Sequence, residues 1–372
     1  MKKKKLMDVE DIRFYASCIL EEDMFFFTEK ENIFMKMDMR SFKTEIIYFD
    51  DKVKENSGGN LPVFMLSKGN SIYKLQHDGE KLIEYEIETG EVFNYEIGEK
   101  GKLWGNFCCV SAYGNYLYLF PGYSSEIIKI DLLNRKIVEK KNILEINSNL
   151  GNLDKDCLYW EKGYKISGKK IALFTRKRRD VLIYNLEKDD YEINFMPEEM
   201  EGIVDICSTE EGIYVLSSHN SLYLWNYKDS ILKLLTHVPE IRDKNYFGEM
   251  ISTTEKIIVL PCLGDDIYIY NKQKNTFTIY KNYPADFGYN GYTTAWSKYN
   301  NMCESKEYVY YPMRLSNYIL QIEKNKGSIK WIKPNPPSKL QRCIYYNQKG
   351  ISILDERNIG LSTYIDFIKN KL

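Results

Sequence analysis

An alternating apolar run that ends on Asp, Asn or Glu recurs eight times along this 372-residue chain, and that recurrence limits what it can fold into. The marker residues are Asp38, Glu86, Asp131, Asn185, Asn226, Asn271, Glu323 and Asp366, spaced by 48, 45, 54, 41, 45, 52 and 43 residues. A fixed period of this size signals a stack of like units rather than one irregular core. Each marker is followed by two to four turn residues and a second alternating run. Asp and Asn side chains accept bonds from backbone two or three residues on, so a hairpin closes at each marker.

Another run precedes each marked one, such as Met24–Phe27, Tyr116–Phe120, Ile213–Leu216 and Ile257–Leu260. Upstream of most lies a fourth, rich in small residues, as in Tyr15–Ile19, Cys108–Ser111 and Val204–Ser208. Four antiparallel strands per unit, A to D, at this period describe the blade of a β-propeller. The expectation is an all-β protein, one propeller domain over residues 1–372, with eight blades by marker count and seven as the competing count. The eighth unit ends before its D strand. Residues Lys3 to Val9 are expected to supply that strand and so close the ring without an open sheet edge. A short helix is expected only within 143–158.

Quoted against known repeats, Ile87-Glu-Thr-Gly-Glu-Val92 resembles the hairpin turn of the Kelch, Trp-Asp and pyrroloquinoline-quinone-type propellers. The Kelch double glycine occurs once, at Gly58-Gly59, and Leu224-Trp225-Asn226 only echoes the Trp-Asp dipeptide. The resemblance covers about residues 10–370 and implies architecture. Such propellers serve as interaction platforms, hydrolases and lyases, so the fold does not choose among them.

Composition narrows the partners. Lys and Arg total 52 against 53 Asp and Glu, a net charge of -1, so nothing draws the chain toward nucleic acid or an anionic membrane. Tyrosine is abundant, at 31 residues, and suits half-buried strands that keep a wet hydroxyl. After Lys2–Lys5 the charges Asp8, Glu10, Asp11 and Arg13 interrupt any apolar signal core, so a cytoplasmic location is expected. Eight cysteines without a Cys-x-x-Cys pair suit reduced thiols, with no metal and no cofactor expected. Several of them (Cys18, Cys108, Cys109, Cys207, Cys303 and Cys343) fall in A strands. There they read as small apolar fillers, with a soft-metal thiol ring as the alternative.

The candidate site lies on the face made by the B–C and D–A loops. The run Arg176, Lys177, Arg178, Arg179, with Arg314, can read carboxylate or phosphate through paired hydrogen bonds, or be a solvated loop. Trp104 and the aromatic stretch with Tyr289, Tyr292 and Trp296 suit a binding surface, or a loop packed on itself. His77 and His219 occupy B–C loops and are the catalytic candidates, for want of any Gly-x-Ser-x-Gly, phosphate-loop or His-Glu-x-x-His motif. The expected function is a non-catalytic scaffold that presents this face to a protein, peptide or glycan, or takes a small anionic ligand. The alternative is a lyase, cyclase or hydrolase at the channel mouth.

Overall fold

The computed structural model describes residues 14–28, 33–49, 62–76, 80–98, 106–142, 160–200, 202–229, 231–239, 247–262, 266–285, 287, 302–313 and 316–335. Among them 28 strands form seven four-stranded antiparallel sheets, each built from strands consecutive in sequence. Blade 1 holds β1 (Phe14–Leu20), β2 (Asp23–Thr28), β3 (Ile33–Asp38) and β4 (Thr44–Phe49). Blade 2 holds β5 (Pro62–Lys68), β6 (Ser71–Gln76), β7 (Lys81–Glu86) and β8 (Val92–Glu96). Blade 3 holds β9 (Phe107–Tyr113), β10 (Tyr116–Pro121), β11 (Glu126–Asp131) and β12 (Lys136–Asn142). Blade 4 holds β13 (Lys162–Ser167), β14 (Lys170–Phe174), β15 (Asp180–Asn185) and β16 (Asp190–Phe195). Blade 5 holds β17 (Ile203–Ser208), β18 (Ile213–Ser217), β19 (Ser221–Asn226) and β20 (Ile231–His237). Blade 6 holds β21 (Phe247–Ser252), β22 (Lys256–Pro261), β23 (Ile267–Asn271) and β24 (Thr276–Tyr280). Blade 7 holds β25 (Cys303–Glu304), β26 (Tyr308–Pro312), β27 (Ile319–Glu323) and β28 (Ile329–Ile332).

The blade number is therefore seven, the competing count, and not the eight given by the markers. The reason lies in how the ring closes. Buried apolar clusters join blade 1 to 2, 2 to 3, 3 to 4, 4 to 5, 5 to 6 and 6 to 7. A further cluster joins blade 7 directly to blade 1, with Tyr310 and Ile319 against Phe14, Phe26 and Met35. Ser17 Oγ donates to Cys303 Sγ across the same junction at 3.4 Å. No gap is left in the ring for another blade. Blade 7 is complete in its four strands, and beyond it Asn335 pairs with Lys43 beside β4. The eighth marker, Asp366, the Lys3–Val9 segment and the helix expected at 143–158 lie outside the described residues.

The other seven markers each end the third strand of a blade. The Asp131 carboxylate accepts from Leu133 N at 3.0 Å and Asn134 N at 3.1 Å, and Asn185 Oδ1 accepts from Glu187 N at 3.0 Å and Lys188 N at 3.2 Å. Four residues past the marker the backbone turns left-handed, at Phe42, Gly90, Arg135, Asp189, Asn275 and Gly327. Left-handed φ costs a residue with a Cβ roughly 1–2 kcal/mol. Three of the non-glycine residues offset that cost by reaching the preceding blade. Arg135 bonds Glu84 and Glu86, both at 3.2 Å, and covers the Phe93 ring of blade 2 at 3.4 Å. Asp189 bonds Lys129 of blade 3 at 2.6 Å. Phe42 packs into the closure between blades 7 and 1.

Candidate functional site

Lys162 pairs with Phe174, Asp205 with Leu216 and Glu249 with Leu260. All three therefore stand at the end of the inner strands that borders the B–C and D–A loops. Asp205 and Glu249 owe their aim to a shared irregularity. In blades 1, 2, 3, 5 and 6 one residue is skipped just inside the A strand, and the side chain after the skip is Ala16, Phe64, Cys109, Asp205 and Glu249 respectively. Such a bulge bends the strand and re-aims the next side chain. In blades 5 and 6 the re-aimed side chain is a carboxylate.

The inner edge of β21 has no strand beside it, so its backbone groups need other partners. The Met250 N–H donates to Asp205 Oδ2 of blade 5. The Gly248 carbonyl accepts from the Lys162 ammonium of blade 4. The same ammonium lies 3.1 Å from Glu249 Oε1 and 3.6 Å from Asp205 Oδ1. An ammonium has three protons to donate, and here it faces two carboxylates and one carbonyl. One lysine thus ties three blades together at the channel mouth.

Burial sets the ionisation of this group. The Asp205 side chain is only 5% exposed, against 24% for Lys162 and 32% for Glu249. Burial pushes the Asp205 carboxyl up, Lys162 pulls it back and Glu249 pushes it up again, to about 7. For Lys162 burial opposes the charge, but Asp205 and Glu249 outweigh it and hold the ammonium above its ordinary range. The phenols of Tyr164 and Tyr311 are raised, first by burial; Cys207 and Asp205 add to this at Tyr164, and Glu249 and Asp205 at Tyr311.

The basic run sits beside this cluster. Arg178 makes a two-point pair with Asp180, at 2.8 and 3.3 Å, and covers Trp160 at 4.9 Å. Arg179 bonds the Met196 carbonyl at 3.3 Å and lies 3.6 Å from Glu198. The Arg176 amide donates to Glu161 at 2.9 Å, and its guanidinium is close enough to Lys162 to oppose that ammonium's charge. The structure so brings Arg176 toward the mouth and turns Arg178 and Arg179 to carboxylates of their own blade and of the short 3-10 turn Glu198–Met200. His219 is exposed on the B–C loop of blade 5. His77, Trp104, Tyr289, Tyr292, Trp296 and Arg314 lie outside the described residues. At the start of the aromatic stretch, Tyr283 and Phe287 pack on Trp331 of blade 7, at 5.7 and 4.8 Å.

The inner-strand thiols are buried. Burial pushes Cys109 and Cys303 up to about 12 and raises Cys18, Cys108 and Cys207 as well. At Cys109 the packing is close: a Cβ on Gly163 would stand 2.4 Å from its Cβ. Among the described residues no three His, Cys, Asp or Glu side chains gather as a metal site would require.

With the geometry in place, comparison with solved structures shows the fold. The chain is similar to a streptogramin B lyase, with a TM-score of 0.60 at 10% identity over 85% of this chain and 94% of that one. A catalytically inactive virginiamycin B lyase from Staphylococcus aureus, solved with quinupristin, is similar at a TM-score of 0.60 and 10% identity, over 84% and 95% of the two chains. A chain of the mitotic checkpoint complex is similar at 0.52 and 8%, over 87% of each. No protein-family model and no curated protein matches the sequence. At these identities the likeness is one of architecture. Among the described residues no helix is long and apolar enough to cross a membrane.

Proposed function

We propose that the protein is a binding scaffold that uses its B–C and D–A loop face to hold a protein, peptide or glycan partner. The observation that carries this reading is the way the channel-mouth charges are used. Lys162 donates to Gly248 and Glu249 and lies 3.6 Å from Asp205, which accepts from the Met250 amide. These groups brace the inner strands, which leaves recognition to the loops above them. Both kinds of neighbour fit the architecture, since one is part of an assembly and others are lyases.

One observation favours the alternative, a lyase or hydrolase at the mouth. Asp205, with its carboxyl near 7, sits where polar groups of three blades converge, and such a group can give or take a proton at neutral pH.

A photo-cross-linking amino acid placed at Lys177 or His219, both exposed on the loop face, separates face binding from its absence. Leu133, exposed in a hairpin turn at the opposite end of the strands, serves as the control. The expected result is one discrete adduct, the same from both loop positions and absent from Leu133, which then binds the purified protein. Adducts from Leu133 alone, or none from either loop position, would overturn the reading.

A further inference from the structure

We propose that Lys162, Asp205 and Glu249 form a proton-operated clasp across blades 4, 5 and 6, closed when it holds one extra proton and loosened when that proton leaves. The inference goes beyond the choice between scaffold and enzyme and does not depend on what the loop face binds.

The charge count comes first. Two carboxylates share one ammonium at 3.1 and 3.6 Å, in a place where Asp205 is almost sealed from water. With both carboxylates ionised the trio carries one surplus negative charge, and two carboxylates near each other do not both ionise freely in a buried site. Lys162 and Glu249 are the charges that act on Asp205 most directly, and the groups around them act at one remove. From β13, Tyr164 faces Asp205, and from β26, Tyr311 does; both are neutral phenols. On its own strand Asp205 has the buried Cys207 thiol, with Lys272 beyond it. Past Lys162 stand Arg176, which adds a positive charge, and Glu161, which binds the Arg176 amide. Glu304, near Tyr164, adds a further negative charge and is paired with Lys324 at 2.7 Å. A proton on Asp205 removes the surplus and leaves Lys162 paired with Glu249.

The geometry says what that proton controls. The clasp is made at the entry of three successive inner strands, directly beneath loops that are themselves tied together. Ile203 N donates to the Thr175 carbonyl at 3.0 Å, and Ser218 N donates to the Gly202 carbonyl at 3.0 Å. Opening the clasp frees Gly248 O and Met250 N–H on the inner edge of β21 and unpins the loop face of blades 4 to 6. The fold thus links the shape of that face to proton concentration near neutrality.

The size of the effect follows from proton linkage. If opening returns the Asp205 carboxyl, at about 7 when closed, to its ordinary value of 3.8, opening releases a proton over the interval between them. The opening constant then rises about tenfold between pH 6 and pH 8 and levels off above. Hydrogen exchange of the Met250 amide in the full chain, corrected for the intrinsic base-catalysed rate, reads this ratio, with Leu82 in the blade 2 core as a remote control. The expected result is about a tenfold ratio at Met250, none at Leu82, and none at Met250 in Asp205→Asn. Should that variant not fold, Glu249→Gln removes the facing charge and is expected to shrink the wild-type ratio. A wild-type ratio near one, an equal ratio at Leu82, or an undiminished ratio in whichever variant folds would overturn the clasp.

Discussion

Asp189 offers a test of how neighbouring blades are latched, because it combines an unfavourable backbone with a strong charge network. Its φ is +57°, a conformation that costs a non-glycine residue roughly 1–2 kcal/mol. Against this, its carboxylate takes Lys129 at 2.6 Å and Lys141 at 3.4 Å, both from blade 3, and the Tyr184 hydroxyl. Burial works against the charge, but the Lys129 and Tyr184 hydrogen bonds and the two ammonium charges outweigh it, lowering the carboxyl from 3.8 to about 2. That shift corresponds to about 2 kcal/mol, which we discount to about 1–2 kcal/mol because the side chain is a quarter exposed and partly screened. Because the carboxyl is lowered in the folded state, the contribution is fully present above pH 4 and fades as the pH falls through 2. Two substitutions separate its parts. Asp189→Asn keeps a side chain that tolerates the turn and loses the charge, so it is expected to cost about 1–2 kcal/mol at pH 7. Asp189→Gly relieves the backbone but removes the carboxylate that accepts from Lys129, Lys141 and the Tyr184 hydroxyl, and should cost about as much or more. Urea unfolding at pH 7 gives both numbers. An Asp189→Gly variant more stable than wild type would show that backbone strain outweighs the network and would refute the latch.

Two further outcomes follow from the packing. Gly202→Ala places a Cβ 1.9 Å from the Arg176 carbonyl, so the loops of blades 4 and 5 must separate, at a cost of about 3 kcal/mol; a melting temperature equal to wild type would dispose of that wedge. Cys18, Cys108, Cys109, Cys207, Cys262 and Cys303 are buried thiols outside any disulfide. Alkylation at pH 8, mapped by mass spectrometry, is expected to spare them in the native protein and modify them in denaturant, and native labelling of Cys207 at a free-thiol rate would contradict its burial.

Most of the fold was legible because its signal is local. The marker side chains close their own hairpins, and apolar alternation names the strands on either side, so each blade declares itself within about 45 residues. Tyr15–Ile19, Cys108–Ser111 and Val204–Ser208 correspond to β1, β9 and β17. Blade number is a different kind of quantity. It depends on the angle between neighbouring blades, and so on how Tyr310 and Ile319 meet Phe14 and Met35 across a separation of nearly 300 residues. No local pattern carries that angle, and a count of markers cannot tell a ring member from a run that resembles one.

The channel-mouth trio escaped the sequence reading for a related reason. Charged loop residues and histidines draw attention because chemistry often sits on loops, whereas Lys162, Asp205 and Glu249 lie within strands. A signal was nevertheless present. At the position after the inner-strand bulge the repeat carries Ala16, Phe64 and Cys109 in blades 1 to 3, then Asp205 and Glu249 in blades 5 and 6. Two carboxylates stand where the repeat otherwise places small or apolar side chains, on inner strands that have a neighbouring strand on one edge only. They find a cation and a backbone donor on successive blades, in Lys162 and the Met250 amide. Departure from the repeat at a buried position, more than charge on a loop, is thus what marks the place where this ring departs from its own symmetry.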